Sequence, residues 1–142
     1  MKQLLDYKSA KRSSSIMQAI SQTLSKQSIT DLAAYYAYLP KARTGPTTYD
    51  ETLPKLVRVG DPMRNIAPCI SCHGGVDQKL GAPWLEGMPK AYVVAQLKAF
   101  RSGVRHNDPE AQMRNMARGV TDGEIDAVAD FYARKANSFD PK

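Results

Sequence analysis

Two stretches of this chain read as copies of one another, and an internal repeat limits architecture more than any single motif does. "QLLDYKSAKR" (3–12) and "QLKAFRSGVR" (96–105) share Gln, Leu, an aromatic residue, a cation, Ser and Arg at a constant offset. After three extra residues in the second copy, "MQAISQTLSKQSITDLAAYYA" (17–37) resumes against "MRNMARGVTDGEIDAVADFYA" (113–133). Each copy closes on an amphipathic helix. Ile29, Leu32, Ala33 and Tyr36 fall at i, i+3, i+4 and i+7, as do Ile125, Val128, Ala129 and Tyr132. Thr121 with Glu124 makes a capping box ahead of the second helix, Ser25 and Ser28 make a weaker start for the first, and Pro40 stops it. Pro89 and Gly103 bracket a further helix in the favoured order, Pro at the opening and Gly beyond the end. No run of four to eight residues alternates like a strand, so the expected class is all-α, helices joined by long loops.

Residues 41–52, "KARTGPTTYDET", are Thr-rich with a Gly-Pro step and read as an exposed linker. The region after it, 53–142, carries a long preface before its repeat copy; residues 1–40 carry none and are expected to be the back half of a helical domain whose front half is absent. With 42% apolar and 24% charged residues the chain is globular, and no stretch approaches the ~18 apolar residues of a membrane span. "MKQLLDYKSAKR" has charges every few residues and no apolar core, so no export leader is visible. A formal charge of +6 favours acidic partners. Residues 1–40 hold five Lys or Arg against two Asp, too scattered for a polybasic tail.

The preface contains "APCISCHGG" (67–75), which holds both cysteines of the chain, Cys69 and Cys72, and one of its two histidines, His73. Cys-x-x-Cys-His is the attachment sequence for a c-type haem. Two thiols about one turn apart can add to the two vinyl groups on one porphyrin edge, and the adjoining His reaches the iron from the proximal side. Three other readings stand beside it. A structural zinc ion wants four ligands, and only Cys69, Cys72, His73 and His106 are on offer. A thioredoxin-like pair wants a strand-rich βαβ setting. A disulfide across so short a loop is strained and leaves His73 unexplained. Haem is favoured because the third residue and the helical setting both agree with it.

With those residues in view the chain resembles a family, the class I cytochromes c, and within it the two-haem c-four type. The likeness runs through "KLVRVGDPMRNIAPCISCHGG", "LGAPWLEG", "AYVVAQLKAFRSGVRHND" and "MRNMARGVTDGEIDAVADFYA", nearly all of 53–135; residues 1–40 are similar to the tail of the family's first haem domain. It departs in one respect, since the first domain's own Cys-x-x-Cys-His is not in the sequence. The resemblance implies a small domain in which three main helices wrap one haem, preceded by a helical half-domain. Cys69 and Cys72 match the thioether positions, His73 the proximal ligand, and Pro83 the loop proline whose carbonyl orients that histidine.

The distal ligand must come from Met63, Met88, Met113, Met116 or His106. Met17 aligns with Met113 in the repeat, while Met116 aligns with Ile20; a position that accepts Ile is packing, and one that stays Met in both copies suits ligation. The family pattern also points to Met113. Met116 then becomes a pocket wall, and His106 an exposed loop residue. Ile70, Trp84, Leu85, Leu97 and Phe100 are expected to pack on the porphyrin or the core, and Arg101 and Arg105 either to pair with haem propionates or to face solvent.

Iron held by two protein ligands has no open position for substrate, which leaves one-electron transfer and no enzymatic activity. The expectation is a periplasmic carrier with one covalent haem, serving redox proteins with acidic docking surfaces, such as a terminal oxidase or reductase, and not nucleic acid. The alternative is a cytochrome subunit or domain of a larger redox enzyme, with residues 1–40 packing on a partner. A second haem would need a front half-domain supplied from elsewhere, with Met17 as its distal ligand.

Overall fold

The computed structural model describes residues 1–39, 53–73 and 81–134. They form α1 (Lys2–Lys8), α2 (Ser15–Thr23), α3 (Lys26–Tyr38), α4 (Lys55–Arg58), α5 (Cys69–His73), α6 (Lys90–Arg101), α7 (Gln112–Ala117) and α8 (Asp122–Arg134). Extended pairing among the described residues is confined to one isolated bridge, Asp61 with Ile66. The all-α expectation holds. The linker expected at 41–52 and Pro40, expected to stop α3, lie outside the described residues.

Side chains set the starts of α8, α3 and α2. At α8 the Glu124 amide donates to Thr121 Oγ1 at 3.3 Å, and the Thr121 amide donates to Glu124 Oε2 at 2.9 Å, so two otherwise orphaned donors are satisfied reciprocally. Ser25 Oγ accepts from the Ser28 amide at 3.0 Å to open α3, and Ser14 Oγ accepts from the Met17 amide at 3.3 Å to open α2. α6 is bracketed by Pro89 at its N-cap and by a left-handed Gly103, φ 77°, beyond its end.

The core lies in the second region. Ile125, Val128 and Tyr132 of α8 meet Leu56 and Val57 of α4, with Ile66 and Val120; Cys69, Ile70, Leu85, Val94 and Leu97 pack against that cluster. α6 lies on α8 and α7, and α4 on α5 and α8. Burial of each such aliphatic or aromatic side chain contributes roughly 1.5–3 kcal/mol, so α8, with four buried residues, is the element around which the site is built.

In the first region α1 packs on α2, and Ser21 and Ile29 are buried. The apolar stripe read from the sequence is not covered along its length: Tyr36 is 64% exposed and Ile20 48%, whereas Tyr132, the repeat equivalent of Tyr36, is 2% exposed. The difference is the covering layer. α4 and the Ile66 loop close over α8, and among the described residues no such layer closes over α3.

The two regions meet through polar side chains related by the repeat. Arg12 donates to Gln3 Oε1 at 2.5 Å and to Gln96 Oε1 at 3.1 Å. Arg105 donates to Gln96 Oε1 at 2.6 Å and to Gln3 Oε1 at 3.5 Å. Each arginine also lies over the aromatic ring of its own copy, Arg12 at 4.8 Å from the Tyr7 centroid and Arg105 at 4.3 Å from that of Phe100. Equivalent residues of the two copies thus form a four-membered, nearly two-fold arrangement at the joint.

Candidate haem site

The chain is bent sharply before it reaches Cys69. Gly60 sits at φ +73°, and a Cβ there would lie 2.2 Å from Ile66 O and 2.7 Å from Pro68 N, so only glycine permits the return. Asp61 and Ile66 exchange both backbone hydrogen bonds, at 2.7 and 2.9 Å, across a loop whose Asn65 is left-handed. This short, closed loop delivers α5 to the core with Cys69 half-buried and Cys72 exposed.

Both cysteines are free thiols, one turn apart on α5. Burial pushes the Cys69 thiol up to about 11. A half-buried thiol with a raised pKa is the opposite of the low-pKa nucleophile a thioredoxin-like pair requires. Among the described residues no three His, Cys, Asp or Glu side chains gather as a metal-ion site, and His106 is exposed with Nδ1 3.3 Å from the Val104 carbonyl. Among the described residues nothing gathers in favour of the three competing readings of the motif.

His73 is buried, at 6% exposure, and its Nδ1 lies 2.9 Å from the Pro83 carbonyl. A carbonyl oxygen can only accept, so Nδ1 carries the proton and Nε2 keeps the lone pair an axial ligand must donate. The donor set fits haem: two thiols spaced for one porphyrin edge, and beside them an imidazole in the ligating tautomer.

The methionines separate by environment. Met116 Sδ accepts from the Ala67 amide at 3.3 Å, which commits its thioether to the loop before Cys69. Met113 is half-buried on α7, Met63 is 92% exposed and Met88 37%. Met17 is half-buried on α2, distant in sequence from the attachment motif. Ile70, Leu85 and Leu97 pack on the core and Phe100 is buried beneath the Arg105 guanidinium. Neither arginine is a free solvated face: Arg101 donates to the Val120 carbonyl at 2.8 Å and to Asp122 at 2.5 Å, and Arg105 to Gln96 and Asn107. Sequence reading passed over Arg64 altogether. A single arginine in a loop has no pattern to reveal it, and of its two carboxylate partners, Asp61 and Glu124, only Glu124 carries a sequence signal, as half of a capping box.

Two thiols and a neighbouring imidazole used in this way belong to covalently bound haem, and a helical domain built around that attachment is a class I c-type cytochrome. Known proteins narrow the class. The chain is 36% identical over 139 residues to cytochrome c4 of Thiocapsa roseopersicina, covering 92% of this chain and 70% of that protein. It is 38% identical over 138 residues to the thiosulfate dehydrogenase electron acceptor of Stutzerimonas stutzeri (strain A1501), covering 93% of this chain and 64% of that protein. Among solved structures it matches reduced recombinant cytochrome c4 from Pseudomonas stutzeri with TM-score 0.79 at 27% identity, over 93% of this chain and 77% of that one. It also matches a thiosulfate dehydrogenase from Marichromatium purpuratum with TM-score 0.78 at 29% identity, over 99% of this chain and 32% of that one. The chain belongs to the cytochrome c4 family, electron-transfer proteins that carry covalently bound c-type haem. It spans 64% and 70% of the length of the two relatives named. No protein-family model matches it.

Proposed function

We propose that this chain is a one-electron carrier with one covalent haem, tethered by Cys69 and Cys72 and ligated by His73 and Met113. The observation that carries the reading is the His73 Nδ1 to Pro83 carbonyl contact at 2.9 Å, which sets the imidazole in its ligating tautomer beside two free thiols. Bound haem supplies reversible one-electron chemistry, with a potential that thioether ligation raises relative to a second imidazole. Pro83 holds the His73 ring, and the half-buried Cys69 anchors the attachment edge to the core. Met116 is engaged by Ala67, which leaves Met113 as the thioether of α7 for the distal position. Two protein ligands leave no site for substrate, so the role is transfer and not catalysis.

The place of action we infer is the periplasm, where c-type cytochromes of this family serve. No described helix is long and apolar enough to cross a membrane. A relative named as an electron acceptor of thiosulfate dehydrogenase points to a sulfur-oxidising dehydrogenase as electron donor, and a terminal oxidase or reductase then suits the acceptor. The +6 charge speeds encounter with acidic docking faces more than it tightens the complex. The test is expression with a haem-maturation system, then intact mass and a pyridine haemochrome count. One haem that acidic solvent cannot extract supports the reading; a bare polypeptide mass sinks it.

A second reading, a cytochrome domain within a larger redox enzyme, draws support from the dehydrogenase chain in which 99% of this chain finds its match. We read residues 1–40 as the back half of a first cytochrome-like domain, 41–52 as a linker and 53–142 as the haem domain. The exposed Tyr36 and Ile20 support it, since their equivalents Tyr132 and Met116 are buried and half-buried. A complementary front half carrying its own attachment motif would make Met17 the distal ligand of a second haem. Purification from the native source, counting haems and chains per assembly, decides between a lone carrier and these arrangements.

A further inference from the structure

The methionine segment has little to hold it in place by itself. α7 is six residues long, has no side-chain cap at its start and follows two left-handed residues, Glu110 at φ 50° and Ala111 at φ 55°. Helices this short are unstable without tertiary support. Asp108 supplies part of that support, accepting from the Arg114 amide at 3.0 Å and from Arg114 Nε at 2.8 Å.

α6 packs on the helix as well, and a further hold just beyond its end comes from Arg64, which ends the turn Pro62–Arg64 just before the attachment helix. Its Nε donates to Asp61 Oδ2 at 2.8 Å and its Nη1 to the Gly119 carbonyl at 2.8 Å. Nη1 and Nη2 take both oxygens of Glu124, at 3.0 and 2.6 Å. Glu124 is itself fixed on α8 by the capping box. The same two segments touch twice more: the Ala67 amide on Met116 Sδ, and Gly119 in ordinary packing range, where a Cβ would lie 3.5 Å from Ile66 Cδ1 and 3.7 Å from Arg64 Cβ. An isolated surface ion pair contributes little, but a bidentate pair that also holds a backbone carbonyl is a different object.

We propose that Arg64 is a positioning residue for the distal ligand: it straps the turn after α7 to the loop before Cys69, so that the methionine helix stays closed on the attachment helix. The proposal rests on Met113 as distal ligand. A weakened strap lets the methionine side open more often, and an added ligand then captures the iron more readily.

The test uses the oxidised holoprotein titrated with imidazole, followed by loss of the sulfur–iron charge-transfer band. Arg64→Gln should bind imidazole about tenfold more tightly than the parent, the factor expected for losing charge-assisted hydrogen bonds, with covalent haem content unchanged. Glu124→Gln should shift in the same direction, Arg64→Lys should fall between, and Lys90→Gln, which removes the ion pair with Asp126, should match the parent. An Arg64→Gln titration that coincides with the parent, or moves no further than Lys90→Gln, overturns the strap. If Arg64→Gln fails to mature, the Glu124→Gln titration decides by the same criterion. Should the band survive Met113→Ala, the ligation reading falls; faster amide exchange at Ala67 in Arg64→Gln would still uphold the strap, and unchanged exchange would overturn it.

Discussion

The two repeat copies carry the same apolar pattern on their last helices, yet α8 is the heart of the core and α3 is half open. Ile125 and Ile29 are both buried, at 0% and 2% exposure, but seven residues on, two turns along each helix, Tyr132 and Tyr36 part company at 2% and 64%. What differs is not the helix but the segment packed on it. α4 and the Ile66 loop, which belong to the haem-attachment region, cover α8 and have no counterpart over α3 among the described residues. An amphipathic stripe states which face of a helix seeks cover; it does not state that cover arrives.

The largest test of this contrast is chemical. Replacing both Cys69 and Cys72 by Ala should abolish covalent haem entirely, so that intact mass equals the polypeptide, because the first copy offers no thiols of its own. Retained covalent haem would break the comparison at its root. Next, Met113→Ala should remove the sulfur–iron band completely and lower the reduction potential, while Met17→Ala, its repeat equivalent, should leave both unchanged in the isolated chain. Spectra and potentiometry on the pair give the answer, and an effect of Met17→Ala would show that the copies share a ligand role.

Packing comes third. Tyr132→Ala should cost about 3–5 kcal/mol by denaturant unfolding, as emptying a core aromatic site does. Tyr36→Ala should stay within about 0.5 kcal/mol, as exposed substitutions do. Similar losses at both sites would mean that α3 is covered in solution. The smallest effect concerns acid. Hydrogen bonding to Arg64 pulls the Glu124 carboxyl down from 4.5 to about 2. A depressed carboxylate stabilises the fold above its unfolded value and loses that contribution as pH falls through the folded one. The stability gap between parent and Glu124→Gln should therefore be full near neutrality and close between about pH 4.5 and 2. Ser28, the first-copy equivalent, has no charge to lose, so Ser28→Ala should show no such pH dependence; a gap that persists at pH 2 for Glu124→Gln would refute the pairing.

Local signals were legible in the sequence because they act within a turn or two. The capping box at Thr121 and Glu124, the Pro89 to Gly103 bracket around α6 and the 3.6-residue stripe of α8 each depend on neighbours in the chain, and each is found where the pattern placed it. Cys69, Cys72 and His73 were legible for the same reason, since attachment to one porphyrin edge demands a fixed short spacing. The repeat also placed Gln3 with Gln96 and Arg12 with Arg105, though not their meeting at one joint.

Partners far apart in the chain were decided by the tertiary structure alone. Arg64 reaches Gly119 and Glu124 across 55 and 60 residues, Arg105 reaches Gln3 across 102, and Met116 is claimed by an amide 49 residues away. Nothing in the composition around Arg64 marks it, because a guanidinium takes whichever carboxylates and carbonyls the fold brings within reach. The sequence by itself determined a helical chain with one haem-attachment motif and two like-patterned halves. Which half is buried, and which loop holds the methionine helix, were settled only when long-range packing chose the neighbours, since burial and hydrogen bonding depend on distance in space and not along the chain.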